Sequence, residues 1–225
     1  MTYKLNHKCF DTLTPDSLYW MGFLMADGYI NKKGNQLDLT LGVLDADHTD
    51  RFKSFLETDK PIYKKYNKKI GKEYRRVCVY SPHLVGTLIS NNIVNKKSLI
   101  SNPTKDCAQS KDFWRGVMDG DGHIYDYMRY RKNRENPGRN RGITLVGSKT
   151  LLESFSGYID SLFGYSPTIV KFKHAEVFNL RLSGSKAAEV VNHLYKDSST
   201  HLPRKYDLAM QIVKPTEELF CVCQW

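Results

Sequence analysis

Two stretches of this sequence repeat one pattern, in which an apolar run ends in a small residue, an aspartate and a glycine. Residues 19–30 form the first copy and residues 113–124 the second, and their aspartates are Asp27 and Asp121. Carboxylates are ligands for Mg²⁺, a hard ion that also takes backbone carbonyls, waters and substrate phosphates. Two matched acids therefore suit a metal-dependent enzyme that acts on two symmetrically placed targets.

The repeated runs are predicted to be helices that pack against each other. Small residues recur four positions apart in each run, Gly22 with Ala26 and Gly116 with Gly120, which places them on one helix face. Faces of this kind let two helix backbones approach closely. The two helices are therefore expected to form the interface between two halves of the chain.

This packing would place Asp27 and Asp121 at neighbouring helix C-termini. An acid there opposes the helix macrodipole at a cost of about 0.3–1 kcal/mol, and two close carboxylates also repel each other. Bound divalent cations would offset both costs. The alternative is that each aspartate only occupies a turn before a glycine. Gly28 is in either case expected to stop the first helix.

The same order of elements is predicted after each motif helix. In the first half we expect strands near 29–32 and 36–41, a helix at 45–56, strands near 61–67 and 74–80, and a helix at 82–92. In the second half we expect strands at 123–131 and 143–146 around a basic loop at 132–142, a helix at 148–163, strands at 168–173 and 177–182, and helices at 185–195 and 203–213. This order indicates an α+β fold with antiparallel sheets and helices on one side.

The net charge of the 225-residue chain is +10, which favours a polyanionic partner such as nucleic acid, with an acidic membrane surface as the alternative. The five cysteines are odd in number and lack zinc-ligand spacing, which favours a reducing compartment. No apolar run is long enough to span a bilayer, and the N-terminus lacks a signal-peptide pattern. We therefore expect a soluble, intracellular protein with no membrane partner.

The two runs resemble the paired LAGLIDADG motifs of homing endonucleases. Their last four residues read Met25-Ala26-Asp27-Gly28 and Asp119-Gly120-Asp121-Gly122, and residues 6–10 and 19–20 resemble the single-chain members found in bacteria, phages and introns. The resemblance implies two pseudo-symmetric αββαββα halves that form a saddle-shaped antiparallel sheet over DNA. The halves would be residues 1–100 and 111–225, joined by a linker at 101–110.

The resemblance also implies a monomer, involved in intron homing, that cuts both strands of a long, specific double-stranded DNA target across the minor groove. It would leave short 3′ overhangs and use Mg²⁺, with Mn²⁺ or Ca²⁺ able to replace it in binding. Asp27 and Asp121 would be the metal-binding acids, and the carbonyls of Ala26 and Gly120 would be further ligands. The host would be a bacterial or phage-infected cytoplasm, or an organelle.

The family uses a lysine late in each repeat, and Lys97 and Lys205 occupy the corresponding places, where each could stabilise the charge of the transition state. The alternative for each is an exposed lysine near a helix start. Asp45, and either Ser148 or Lys149, could position the attacking water. Met25 departs from the family pattern, because the motif usually has an acid there, as Asp119 is in the second copy; this position is not the family's metal ligand.

Alternation along the strands assigns one polar face to each half, and this face is expected to contact DNA. Asn, Gln and Arg side chains suit base edges in the major groove, and Lys or Arg suits phosphates. The predicted contact residues are Tyr29, Asn31, Gln36, Asp38, Thr40, Arg76, Tyr80, His123, Tyr125, Tyr127, Arg129, Arg131, Asn179 and Arg181. The basic turns at 63–75 and 130–141 would extend the footprint along the backbone.

Two other functions use the same fold and remain open at this stage. One is an RNA-binding maturase that assists intron splicing, with intron RNA as its partner. The other is a DNA-binding regulator that does not cleave. Both differ from an endonuclease in that they do not hydrolyse phosphodiester bonds. The target sequence cannot be read from the chain, because base preference also depends on DNA bending.

Overall fold

The computed structural model describes residues 3–68, 71–94, 102–130, 132, 137–173 and 175–215, and its element order repeats. The first half contains α1 (Pro15–Asp27), β1 (Gly28–Asn31), β2 (Gln36–Gly42), α2 (Ala46–Phe55), β3 (Tyr63–Asn67), β4 (Lys72–Tyr80) and α3 (Pro82–Ser90). After the short helix α4 (Lys105–Ala108), the second half contains α5 (Lys111–Gly120), β5 (Gly122–Arg129), β6 (Gly138–Gly147), α6 (Lys149–Phe163), β7 (Ile169–Lys171), β8 (Phe178–Ser183), α7 (Gly184–Tyr195) and α8 (Pro203–Val213). Across these ranges, no helix combines the length and apolarity that a bilayer span requires.

The strands of the described residues form two four-stranded antiparallel sheets, in the orders β1-β2-β4-β3 and β5-β6-β8-β7. Their registers correspond: one row is Gly28–Leu39–Val77 and the equivalent row is Gly122–Leu145–Leu180. The predicted α+β class and the predicted repeat are confirmed. The hydrogen bonds keep the two sheets separate, so the strands do not form one continuous sheet.

The cores of the two halves are related as well. Trp20 and Trp114 hold the same position in the two motifs and are 1% and 0% exposed. The ring centroid of Trp20 lies 4.8 Å from that of Phe52 in α2, and the centroid of Trp114 lies 4.7 Å from that of Phe155 in α6. Each motif helix therefore packs against the next helix of its own half in the same way.

Helices α1 and α5 lie in backbone contact between the two halves. A β-carbon on Gly22 would overlap the carbonyl oxygen of Phe113, and a β-carbon on Gly116 would overlap the carbonyl oxygen of Tyr19. Both obstacles are main-chain atoms, which cannot rotate out of the way as a side chain can. The approach predicted from the spacing of small residues is therefore present, and it depends on the missing side chains.

Three local predictions differ from the structure. Gly28 follows the last residue of α1, as expected, but its φ of −71° and ψ of 156° are those of a strand, so it begins β1 instead of forming the usual left-handed helix cap. Residues 138–142 are not a loop, since β6 begins at Gly138. The predicted linker contains the helix α4, whose Cys107 is buried.

Replacing Gly22 or Gly116 with alanine should lower the free energy of unfolding by about 1–3 kcal/mol, because the added methyl group forces two helix backbones apart. Gly86 is the matched control, since it also lies within a helix but a β-carbon there meets nothing within 4 Å. Gly86→Ala should instead raise the free energy of unfolding by about 0.5–1 kcal/mol. Urea unfolding measures all three, and wild-type stability in Gly22→Ala and Gly116→Ala would contradict the contact.

Candidate active site

The two motif aspartates meet where α1 and α5 end. Asp27 is the last residue of α1, Asp121 directly follows α5, and both are exposed. A β-carbon on Gly120 would lie 3.5 Å from Oδ2 of Asp27 and would overlap the β-carbon of Ala26. The Asp27 carboxylate therefore lies beside the backbone that leads into Asp121, and the four residues predicted as metal ligands are brought together.

The donor chemistry of this centre fits a hard divalent cation that is shared with a substrate. In the described part of the chain, three or more His, Cys, Asp or Glu side chains nowhere form a group that could hold a metal. A cation beside Asp27 and Asp121 would therefore need oxygen ligands from backbone carbonyls, waters and substrate phosphates as well. Mg²⁺ is commonly bound in this way, by one or two carboxylates and a phosphate.

Lys205 contacts the main chain on either side of Asp121 and is not the exposed lysine of the alternative prediction. The residue is 6% exposed, and its Nζ donates to the carbonyl oxygens of Met118 at 2.8 Å, Gly120 at 3.1 Å and Gly122 at 2.6 Å. An ammonium group has three hydrogens, so all three are used. Lys205 thereby fixes the backbone on both sides of Asp121.

Lys205 also interacts electrostatically with Asp27 and Asp121. Burial lowers the pKa of Lys205 to about 8, and the carboxylates of Asp119, Asp27 and Asp121 oppose this shift. The Gly120 carbonyl that accepts from Lys205 keeps a second lone pair for another partner. Lys97, the counterpart predicted in the first half, lies outside the described residues.

Asp119, the other acid of the second motif, is 1% exposed and belongs to a hydrogen-bond network inside the protein. Tyr19 Oη donates to Oδ2 at 2.8 Å, Tyr195 Oη donates to Oδ1 at 2.6 Å, and the backbone N–H of Leu202 donates to Oδ2 at 2.7 Å. Burial raises the pKa of Asp119, and these three hydrogen bonds oppose the rise. The carboxylate joins α5 to α1, α7 and the start of α8, whereas the buried Met25 holds this position in α1.

His48 extends the same network into the first half. Its Nε2 lies 2.8 Å from Tyr19 Oη, and because that hydroxyl donates to Asp119, Nε2 carries the imidazole proton. Trp20 and Phe23 pack against the ring, with centroids 4.7 and 4.8 Å away. Burial lowers the pKa of His48 to about 3, so the ring is neutral.

Arg204 joins the two halves next to the aspartate pair, and nothing in the sequence except its place beside Lys205 marks it. Its Nε and Nη2 donate to the two carboxylate oxygens of Asp45 at 2.7 and 2.9 Å. Hydrogen bonding to Asp45 raises the pKa of Arg204, and the nearby charge of Asp27 adds to the rise. Asp45 would therefore have to position a water from within an ion pair, and that role stays a prediction.

The second-half candidates for positioning water have other partners. Ser148 caps α6, where its Oγ accepts a hydrogen bond from the backbone N–H of Leu151 at 3.2 Å. Lys149 forms an ion pair with Glu153 one helical turn later, at 3.4 Å. The choice between Ser148 and Lys149 as the residue that positions the attacking water stays a prediction.

The predicted DNA-contacting residues of each half share one sheet face, here named the polar sheet face, because directly paired strand residues point to the same side. Its rows in the first sheet are Tyr29–Asp38–Cys78, Asn31–Gln36–Tyr80 and Thr40–Arg76–Tyr63. Its rows in the second sheet are His123–Thr144–Arg181, Val146–Asn179–Val170, Tyr125–Gly142, Tyr127–Asn140 and Arg129–Gly138. Arg131 lies outside the described residues.

Two of the predicted contact residues, Asp38 and Tyr125, are buried where exposure was expected. Asp38 is 5% exposed, because Arg76 and Gln36 bind its carboxylate. Tyr125 is 8% exposed, and its Oη accepts a hydrogen bond from Nε of Arg181 at 2.9 Å. These side chains bind their neighbours on the face rather than standing free in solvent.

The two arginines at the start of β6, which the predicted basic turn includes, bind groups within the protein. Arg139 forms a buried ion pair with Asp126, with Nη2 2.6 Å from Oδ2, and donates to the carbonyl oxygen of Gln211 at 2.7 Å. Arg141 donates to the carbonyl oxygen of Ile212 at 2.7 Å. Both arginines therefore satisfy carbonyls at the C-terminus of α8, which have no partners within the helix.

No protein-family model matches this sequence, and no curated protein sequence is significantly similar to it. The fold is that of solved LAGLIDADG homing endonucleases, as the two-motif pattern predicted. I-LtrWI bound to target DNA matches with a TM-score of 0.60 and 10% identity over 92% of this chain and 90% of that chain. I-SmaMI bound to cleaved DNA matches with a TM-score of 0.57 and 13% identity over 89% and 88% of the two chains.

Replacing Lys205 with methionine should lower the free energy of unfolding by at least about 2 kcal/mol, because buried carbonyls around Asp121 lose their donor. Lys105→Met is the control, since Lys105 is exposed on α4, and it should change the free energy by no more than about 0.5 kcal/mol. Urea unfolding compares the two variants. An equal, small effect would show that the three hydrogen bonds of Lys205 do not hold this turn.

The free energy of unfolding should fall as the pH falls from 6.5 towards about 3, in part because of His48. The folded protein keeps this ring neutral while the unfolded chain protonates it, so the unfolded state binds more protons in this window. His48 alone contributes a slope of at most about 1.4 kcal/mol per pH unit. Urea unfolding at several pH values should give a shallower slope for His48→Gln, and an unchanged slope would contradict the neutral buried ring.

Proposed function

We propose that this protein is a site-specific DNA endonuclease that hydrolyses both strands of a long target across the minor groove, leaving short 3′ overhangs. The observation that carries the proposal is the meeting of Asp27 and Asp121 at the ends of two helices in backbone contact, on the boundary between two repeated halves. A pair of acids so placed can serve two strands that are related by the same pseudo-symmetry.

The partner is inferred from charge and from the fold. The chain carries a net charge of +10, and each sheet presents a polar face with Arg, Asn and Tyr side chains. The solved structures with this fold include an endonuclease bound to its target DNA and another bound to cleaved DNA. Double-stranded DNA is therefore the proposed substrate, and since one chain supplies both halves, a monomer suffices.

A divalent cation is the proposed cofactor, with Mg²⁺ as the ion used and Mn²⁺ or Ca²⁺ able to replace it in binding. Asp27 and Asp121 would hold it together with the carbonyls of Ala26 and Gly120. When bound, the ion would activate water and neutralise charge on the phosphate. One of the solved structures with this fold, I-SmaMI with an uncleaved target, was obtained in the presence of calcium ions.

Neighbouring side chains hold the aspartate pair in position and place positive charge beside it. Lys205 fixes the main chain on either side of Asp121, which keeps that carboxylate at a set place relative to Asp27. Arg204 adds a fixed positive charge near Asp27, where the phosphate of a bound strand would arrive. Preorganised charge of this kind stabilises a transition state without reorganisation during the reaction.

The test begins with selection of bound duplexes, in Ca²⁺, from a library with a long randomised segment. The selected duplexes are then incubated with Mg²⁺ and wild type, Asp27→Asn or Asp121→Asn. Both variants should bind as wild type does but cut both strands at least about 100-fold more slowly, because each loses a metal ligand.

Asp47→Asn is the control for this experiment, since Asp47 is an exposed acid on α2, and it should cut as wild type does. Full cleavage by Asp27→Asn or Asp121→Asn would contradict the metal assignment. Binding without cleavage by wild type in any divalent ion would favour the regulator, and preference for intron RNA over duplexes would favour the maturase.

A further inference from the structure

One carboxylate is buried on the outer side of the first sheet, away from the hydrophobic core. Asp38 is 5% exposed, yet its register places it on the polar sheet face between Tyr29 and Cys78. The groups that bind it belong to the same face, since Gln36 and Arg76 both donate hydrogen bonds to it. A buried charge needs such partners, so the carboxylate and Arg76 hold each other in place.

The Asp38 carboxylate occupies only one edge of the Arg76 guanidinium. Nε donates to Oδ1 at 2.9 Å and Nη2 donates to Oδ2 at 2.7 Å, which is a bidentate pairing. Because the guanidinium is planar, its other edge, with Nη1 and the second hydrogen of Nη2, is directed away from Asp38. Nη1 has no acceptor among the described residues, and 43% of the Arg76 side chain is exposed.

The interactions around Asp38 keep both groups charged. Burial alone would raise the pKa of Asp38, but hydrogen bonds from Arg76, Cys78 and Gln36 outweigh it and lower that pKa. Hydrogen bonding to Asp38 in turn raises the pKa of Arg76. The guanidinium is therefore a fixed cation with one edge bound and one edge presented to solvent.

The presented edge of Arg76 lies in a concavity of about 370 Å³ on the polar sheet face. Its lining residues are Tyr29, Asp38, Thr40, Tyr63, Lys65 and Arg76. Tyr63 and Thr40 are the direct neighbours of Arg76 on the adjoining strands, and Lys65 adds an exposed cation two residues further along β3. The two parallel donors of this Arg76 edge suit a base edge with two acceptors, and the Lys65 ammonium suits a neighbouring phosphate.

We infer that Arg76 reads one guanine of the target in the major groove and that Asp38 is a positioning residue that orients Arg76. This inference rests on the proposed function as a DNA endonuclease. Guanine presents O6 and N7, two acceptors that match the two donors of a guanidinium edge, whereas adenine presents an N6 donor in place of O6. Asp38 therefore acts through Arg76 and does not itself contact a base, which revises its predicted role.

The second half does not repeat this arrangement, so the guanine should have no symmetric counterpart. The register makes Asn179 the equivalent of Arg76 and Thr144 the equivalent of Asp38. Arg181 instead lies one row away, and its Nε donates to the neutral hydroxyl of Tyr125. Neither an arginine nor an acid is present at the equivalent place, so only one half-site should require guanine there.

The test compares the sequences that wild type and variants select from a library of randomised duplexes. Wild type should select a site with a guanine in one half-site and no matching guanine at the mirrored position. Arg76→Lys keeps the charge but loses the planar fork, and it should reduce discrimination for that guanine by roughly 10- to 100-fold. Asp38→Asn should weaken discrimination at the same base pair, although it touches no base.

Lys65→Ala is the matched control, because it removes a cation of the same concavity that has no base-reading geometry. It should weaken binding to all selected sequences about equally and leave the guanine preference intact. A guanine preference that survives both Arg76→Lys and Asp38→Asn would overturn the inference and leave the proposed function standing. Selection of no sequence by wild type would overturn the proposed function and the inference with it.

Discussion

The backbone contact between α1 and α5 is the constraint on which the rest of the structure depends. Gly22 and Gly116 each face a carbonyl of the other helix, so the two backbones can approach this closely because neither position carries a side chain. Close packing allows little adjustment elsewhere, because main-chain atoms cannot change rotamer. The ends of the helices are therefore fixed side by side, and Asp27 lies against the turn that carries Asp121.

The two halves share one framework of helices and strands, but they differ in a buried residue of their motifs. The registers of the two sheets and the packing of Trp20 and Trp114 match, which shows that the halves are built alike. In the second motif, Asp119 joins four helices through three hydrogen bonds. The first motif has Met25 at the same position, which cannot form these bonds. A frame of this kind can hold two related strands while presenting different side chains to each half of a target.

Local signals allowed much of the fold to be predicted, and long-range contacts explain what was missed. The four-residue spacing of small residues identified the helix faces that meet, and alternation assigned Arg76 and Asn179 to the polar sheet face, because both signals depend on near neighbours in the sequence. The position of α8 depends on tertiary packing. No local pattern in the sequence therefore predicted that Lys205 is buried or that Arg204 pairs with Asp45.

The most direct test of the central claim is the position of the metal in crystals of the protein grown with selected duplex DNA and Mn²⁺. Anomalous scattering from Mn²⁺ locates the ion independently of the surrounding density. The account predicts Mn²⁺ bound by carboxylate oxygens of Asp27 and Asp121, between the protein and the DNA backbone. Mn²⁺ bound elsewhere, with the two carboxylates turned away from the phosphates, would contradict it.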